Sequence, residues 1–137
     1  MKTALATYPD HYAPYFDLLR NEVIAFPRCN ECHAFHWYPK PSCPACGSSS
    51  LSWIPAPATG HLYSWTVVHR KFDADFGEDP PYVVALIEFK GMPGVRLVSS
   101  IRDCAVNHLK INMEVEPFFR ITGQGQPLVY FKPATGK

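Results

Sequence analysis

A chain of 137 residues, 47% hydrophobic and 18% charged, can bury a core as one domain or two small packed modules, and is not a disordered tail. Its net charge of +1 and pI near 7.7 lack the basic excess that phosphate-backbone binding needs, which argues against nucleic acid as a partner. No apolar run approaches membrane-span length and MKTALATYPDHY lacks the apolar heart of a signal peptide, so no membrane association is expected and the expected compartment is the cytoplasm.

The first predicted element is a short helix from Asp10 to Arg20. Tyr12, Tyr15, Phe16 and Leu19 recur there at helical spacing, and Pro14 suits the first turn, where a missing N–H costs little. Glu22 to Arg28 is a short apolar stretch leading into the first cysteine pair. Cys29 to Ile54 reads as a metal module, and Pro55-Ala56-Pro57-Ala58 as a stiff connector. The expected division is a helical segment over 1–26, a zinc ribbon over 27–56 and a barrel domain over 57–137.

From Gly60 the texture turns to strands. HLYSWTVVH (His61 to His69) and YVVALIEF (Tyr82 to Phe89) are rich in β-branched and aromatic residues. Lys90 to Gly94 has turn chemistry and leads to a third strand, Val95 to Ile101. Arg102 to Lys110 holds a short helix or turn. Glu114 to Ile121 is a fourth strand, in which Pro117 requires an edge or bulge position. Thr122 to Gln126 is a hairpin loop, and Leu128 to Phe131 is the fifth strand. The fold class is therefore mainly β: an N-terminal helix, a rubredoxin-like zinc ribbon, then five strands in the element order of an OB-fold barrel.

The most specific signal is Cys29-Asn-Glu-Cys32, ten intervening residues, then Cys43-Pro-Ala-Cys46-Gly47. Each CxxC brings two thiolates together around a tight backbone turn, and two turns supply the four sulfurs of a tetrahedral zinc site. Gly47 stands where the turn calls for positive φ. Two disulfides would need an oxidising compartment, a redox CxxC would not need a second pair, and iron shares the ligand set. Zinc is the expected metal. Four thiolates leave no open position, so the role is structural, and metal binding supplies folding free energy to a module too small for a core of its own. His33 and His36 are expected at the surface or just outside the ligands.

No phosphate loop, dinucleotide fingerprint or G-x-S-x-G is present. Cys104 and His108 stand four apart and invite a nucleophile-pair reading, but Cys104 beside Val106 and Leu109 reads better as a packed thiol. Asp73, Asp75, Glu78 and Asp79 fall in one loop without the glycine and final glutamate of an EF-hand. Phe72 and Phe76 in the same loop suit a protein interface. Trp65 reads as core.

The ordered set of an aromatic N-terminal helix, a CxxC-x10-CxxC ribbon, GHLYSWTVVHR, PPYVVALIEF and PLVYFKP resembles the rubredoxin-like zinc-ribbon plus OB-fold family of acyl-CoA-associated proteins. The resemblance runs from about Tyr15 to Pro133. It implies a non-catalytic accessory subunit in a hetero-oligomer with a thiolase-like, lipid-transfer-protein-like aldolase or hydratase enzyme. Such a subunit helps to assemble the complex and to hold or pass on the CoA ester, in steroid side-chain or fatty-acid and polyketide metabolism. The family often has glycine before the fourth strand; here Asn112 stands in that region, and asparagine also tolerates positive φ. A CoA ester offers an adenine to stack on and phosphates to pair with. On that reading His69, Arg70, Lys71, Arg96 and Arg102 are the candidate phosphate contacts. The competing reading is a single-stranded nucleic-acid-binding module, because zinc ribbons and OB-folds both recur there.

Overall fold

The first described residues form a single 3-10 turn, Asp10–Tyr12, that runs directly into helix α1, Ala13–Arg20, with Pro14 in its first turn. Tyr15 and Leu19 are buried on the inner face of α1, while Phe16 packs beside the core. The computed structural model describes residues 9–69 and 81–134.

Two antiparallel strands frame the ribbon: β1, Ala25–Cys29, and β2, Leu51–Pro55, with Phe26 opposite Ile54 and Cys29 opposite Leu51. The apolar stretch before the first cysteine is thus a strand, which Pro27 within it had hidden. After β2 the chain remains tied down, since the Ala56 N–H donates to the Ile24 carbonyl at 2.7 Å.

Five strands follow: β3 Gly60–Val68, β4 Tyr82–Glu88, β5 Leu97–Ser99, β6 Glu114–Ile121 and β7 Pro127–Pro133. Their order is β5-β4-β3-β6-β7, all antiparallel. One parallel bridge, Ile101 to Phe131, joins the two ends of that order. The Phe131 N–H donates to the Ser100 carbonyl at 3.0 Å and the Arg102 N–H to the Phe131 carbonyl at 2.8 Å. These bonds nearly close the sheet into a five-stranded OB barrel.

Four details bear on the sequence reading. Strand β5 is shorter than Val95 to Ile101, because the chain leaves β4 after Ser99 and turns to β7. Residues 102–110 contain only a 3-10 turn, Val106–His108. Strand β6 pairs with β3 only at Val115 and Glu114, so Pro117 lies past that pairing, on the side where no ladder N–H is required. Asn112 does take positive φ, 66°, and its N–H bonds to the Leu62 carbonyl at 2.7 Å.

Gly60 opens β3 at the tightest point. A Cβ there would lie 2.6 Å from Ile87 Cγ2 and 3.0 Å from the Glu88 carbonyl oxygen. Leu62, Ala85, Ile87, Val95, Val115 and Phe131 are fully buried inside the barrel. Trp65 packs against this core from its rim.

Aromatic rings bind the three parts together. Tyr15 of α1 lies 4.7 Å from Trp37 of the ribbon, Trp37 5.0 Å from Phe26 on β1, Phe26 5.5 Å from Phe89, and Phe89 6.2 Å from Phe131 on β7. Each step is a tilted or edge-to-face contact, the geometry that ring quadrupoles favour. No helix among the described residues is long and apolar enough to cross a membrane.

Candidate functional site

The four ribbon cysteines converge as their spacing requires. All four Sγ atoms lie within 4.8 Å of one another. Across the two turns, Cys29 Sγ is 3.5 Å from Cys46 Sγ, and Cys32 Sγ is 3.7 Å from Cys43 Sγ. A tetrahedron with metal–sulfur bonds of about 2.3 Å has edges of about 3.8 Å, so the sulfur set fits a tetrathiolate metal.

The backbone builds this set twice. In each turn the N–H of the residue after the second cysteine donates to the carbonyl of the first: His33 to Cys29 at 2.9 Å, Gly47 to Cys43 at 2.8 Å. In each, the first cysteine's own N–H donates to the residue beyond: Cys29 to the Ala34 carbonyl at 2.9 Å, Cys43 to the Ser48 carbonyl at 2.7 Å. Backbone N–H groups also point at sulfur, from Glu31 and Cys32 to Cys29 Sγ at 3.3 and 3.4 Å, and from Ala45 to Cys43 Sγ at 3.3 Å. Asn30 ties the first turn to β2, donating to Ser50 Oγ and accepting from Ser52 Oγ, both at 3.0 Å.

These donors tune the thiols. The Cys32 N–H, aided by the Glu31 N–H and neighbouring thiols, outweighs burial and draws Cys29 down to about 6. Cys43 also falls below its ordinary value, through the Cys46 N–H first. At Cys46 the Ser48 N–H pulls the other way, yet the Cys29 thiol, burial and the remaining thiols together push it up to about 12. Each turn thus holds one thiol prepared to ionise, Cys29 and Cys43, both buried, beside an exposed partner, Cys32 and Cys46. A bound divalent metal supplies the charge that ionises the rest. With four sulfurs on the metal there is no position for water or substrate, so the centre is a scaffold.

Near the centre, His33 is exposed. His36, expected at the surface or just outside the ligands, is not at the surface: it is 8% exposed, and neither ring nitrogen has a hydrogen-bond partner among the described residues. Burial, with a smaller contribution from Lys40, holds it below the usual histidine value.

Of the five candidate cations, the three among the described residues lie apart in the chain's fold. His69 is exposed at the end of β3; Arg70 and Lys71 lie outside the described residues, as do Phe72, Asp73, Asp75, Phe76, Glu78 and Asp79. Arg96, before β5, bonds to Glu88 at 2.9 Å and lies 4.1 Å over the Tyr63 ring. Arg102, after β5, lies 3.9 Å over Tyr130 on β7. The two arginines therefore serve different strands. The pairing of Cys104 with His108 does not form: Cys104 donates weakly to the Ala105 carbonyl at 3.5 Å, and the turn Val106–His108 begins after it.

Sequence reasoning missed a groove of about 210 Å³ between α1, Trp37 and Tyr38 of the ribbon, and strands β5 and β7. Its walls include Tyr12 and Phe16 of the helical stripe, which the sequence did signal, and Val98 and Leu128 of the strands, which it did not.

Two family models divide the chain between them. Residues 16–52 match the rubredoxin-like zinc ribbon domain of ChsH2, and residues 53–120 match its C-terminal OB-fold domain. The chain belongs to the ChsH2 family. A DUF35 domain-containing scaffold protein of Methanothermobacter thermautotrophicus is 30% identical over 115 residues, covering 79% of this chain and 84% of that protein. A probable enoyl-CoA hydratase alpha subunit of Thermomonospora curvata is 32% identical over 120 residues. That match takes in 88% of this chain but 36% of the hydratase subunit, so the chain spans about a third of that relative's length. Among solved structures, the Ltp2-ChsH2(DUF35) aldolase has a chain of the same ChsH2 fold: TM-score 0.82 at 30% identity, covering 95% of this chain and 99% of that one.

Proposed function

We propose that this chain is a non-catalytic accessory subunit of an acyl-CoA-processing complex, joined to a thiolase-like, lipid-transfer-protein-like aldolase or hydratase enzyme. One observation carries the reading: a solved ChsH2(DUF35) chain, named as part of an aldolase with Ltp2, matches this one almost end to end. The chemistry of the chain agrees. Its metal is zinc in a closed tetrathiolate, and the single nucleophile pair suggested by sequence does not form. The subunit's work is to assemble the complex and to hold the CoA ester, in steroid side-chain or fatty-acid metabolism in the cytoplasm. His69, Arg70, Lys71, Arg96 and Arg102 are the proposed phosphate contacts.

The test is co-expression with a thiolase-like, aldolase or hydratase enzyme from the same source, followed by native mass spectrometry. A hetero-oligomer with one zinc per copy of this chain, and partner activity that rises on mixing, is the expected result. A chain that stays alone and leaves the partner's rate unchanged overturns the reading.

A further inference from the structure

Strands β6 and β7 send alternate residues to opposite faces. Val115 and Phe131 are buried in the core, with Phe119 and Val129 packed against it. On the outer face Glu116, Phe118 and Arg120 stand opposite Lys132, Tyr130 and Leu128. At its centre the Phe118 and Tyr130 rings are 5.8 Å apart, tilted by 50°. Cations gather on them. Arg102, from the segment that closes the barrel, lies 3.9 Å over Tyr130; Arg120 Cζ and Lys132 Nζ lie 5.3 and 5.9 Å from the Phe118 centroid. Glu116, 3.8 Å from Lys132, is the carboxylate of the paired row.

An ordinary solvated strand pair mixes signs and lets its long side chains reach into water. Here three cations are drawn down onto two rings, whose quadrupoles offset their mutual repulsion. The result is flat π-surface and positive charge within one small area. Guanidinium planes stacked on rings are themselves stacking surfaces. A ligand that satisfies both features carries a flat ring and phosphate, which is the chemistry of a nucleoside phosphate.

We propose that the outer face of β6 and β7 binds the nucleotide end of a CoA ester, with Phe118 and Tyr130 as the stacking platform and Arg102, Arg120 and Lys132 as phosphate contacts. The choice of CoA over a free nucleotide rests on the accessory-subunit reading. Arg102 is one of the cations proposed above as phosphate contacts, and this face adds Arg120 and Lys132 to it. Leu128, across from Arg120, also lines the apolar groove beside α1, so the face adjoins an apolar path for the rest of the ester.

Calorimetric titration of the full chain with CoA, adenosine 3′,5′-bisphosphate, pantetheine and a thymidine oligonucleotide tests this. CoA is expected to bind, the bisphosphate more weakly, and pantetheine not at all. Arg120→Ala with Lys132→Ala weakens CoA binding about tenfold or more. Phe118→Leu, which keeps its packing, weakens it through lost stacking. Unchanged CoA affinity in the double variant, or equal affinity for pantetheine, overturns the proposal. Tighter binding of the oligonucleotide than of CoA overturns it in favour of nucleic acid, and a bisphosphate that binds as tightly as CoA removes the CoA assignment. Pull-down of the enzyme partner separates the two readings: a chain that assembles with its enzyme yet binds no CoA overturns this proposal alone.

Discussion

His33 and Gly47 hold the same post in the two metal turns. Each follows the second cysteine of its pair, each has left-handed backbone, φ 67° and 85°, and each N–H closes its turn on the carbonyl of the first cysteine. Left-handed backbone costs a residue with a Cβ roughly 1–2 kcal/mol and glycine nothing. Gly47→Ala is therefore expected to destabilise the metal-loaded chain by about 1 kcal/mol. Nothing lies within 4 Å of the added Cβ, so the loss comes from backbone strain alone. His33→Gly should shift stability the other way. Urea unfolding of the two variants checks this, and a loss of stability in His33→Gly would show that its side chain has a role of its own.

Gly60→Ala tests the barrel. The new methyl group would meet Ile87 Cγ2 at 2.6 Å and the Glu88 carbonyl at 3.0 Å, where β3 enters between β4 and β6. Overpacking of this kind costs roughly 1–3 kcal/mol. A lower melting temperature with full metal content is expected; an unchanged melting temperature would mean that β4 yields easily.

Cys43→Ser should drop metal content, read by native mass spectrometry, from one per chain to none. It replaces a buried ligand whose thiol the Cys46 and Ala45 N–H groups prepare. Strong chelation of the wild type should reproduce its unfolding curve, since metal free energy is folding free energy for the ribbon. Stoichiometric metal in the variant would refute the ligand assignment.

His36 sets a pH dependence. Burial keeps its folded-state value below the ordinary 6.5. The unfolded chain then takes up the proton more readily than the folded one, so His36's contribution is fully present above pH 6.5 and is lost as pH falls through and below it. Stability should decline as pH falls below 6.5, and the decline should be shallower in His36→Phe. Identical slopes for variant and wild type would clear His36 of the effect and leave it to the thiolate ligands.

The ligand set was legible in the sequence because CxxC spacing is a covalent constraint on where sulfurs fall. The long barrel strands were legible because β3, β4 and β6 carry runs of β-branched and aromatic residues. Strand β1 was not, since Pro27 interrupts it and its pairing with β2 crosses the whole metal module. The N–H groups aimed at Cys29 and Cys43 are backbone and leave no compositional trace. Left-handed His33 was missed because its side chain drew attention while its φ carried the role. The outer ring pair is a matter of register: Phe118 and Tyr130 lie on different strands, set opposite each other by the β6–β7 pairing and its turn, where Thr122 accepts the Gln124 and Gln126 N–H groups on its hydroxyl at 3.3 and 3.0 Å.

The row of rings from Tyr15 through Trp37, Phe26 and Phe89 to Phe131 bears on how this fold can be cut or recombined. The prolines after β2 suggest a seam, but a fragment begun there would leave Phe89 without Phe26 and lay its flank open to water. A ribbon made alone would bare Phe26 and Trp37 in the same way. Each half would gain a sticky aromatic patch and tend to aggregate. Helix, ribbon and barrel are therefore expected to pass between proteins as one heritable block, grafted whole onto longer chains or kept as a separate polypeptide.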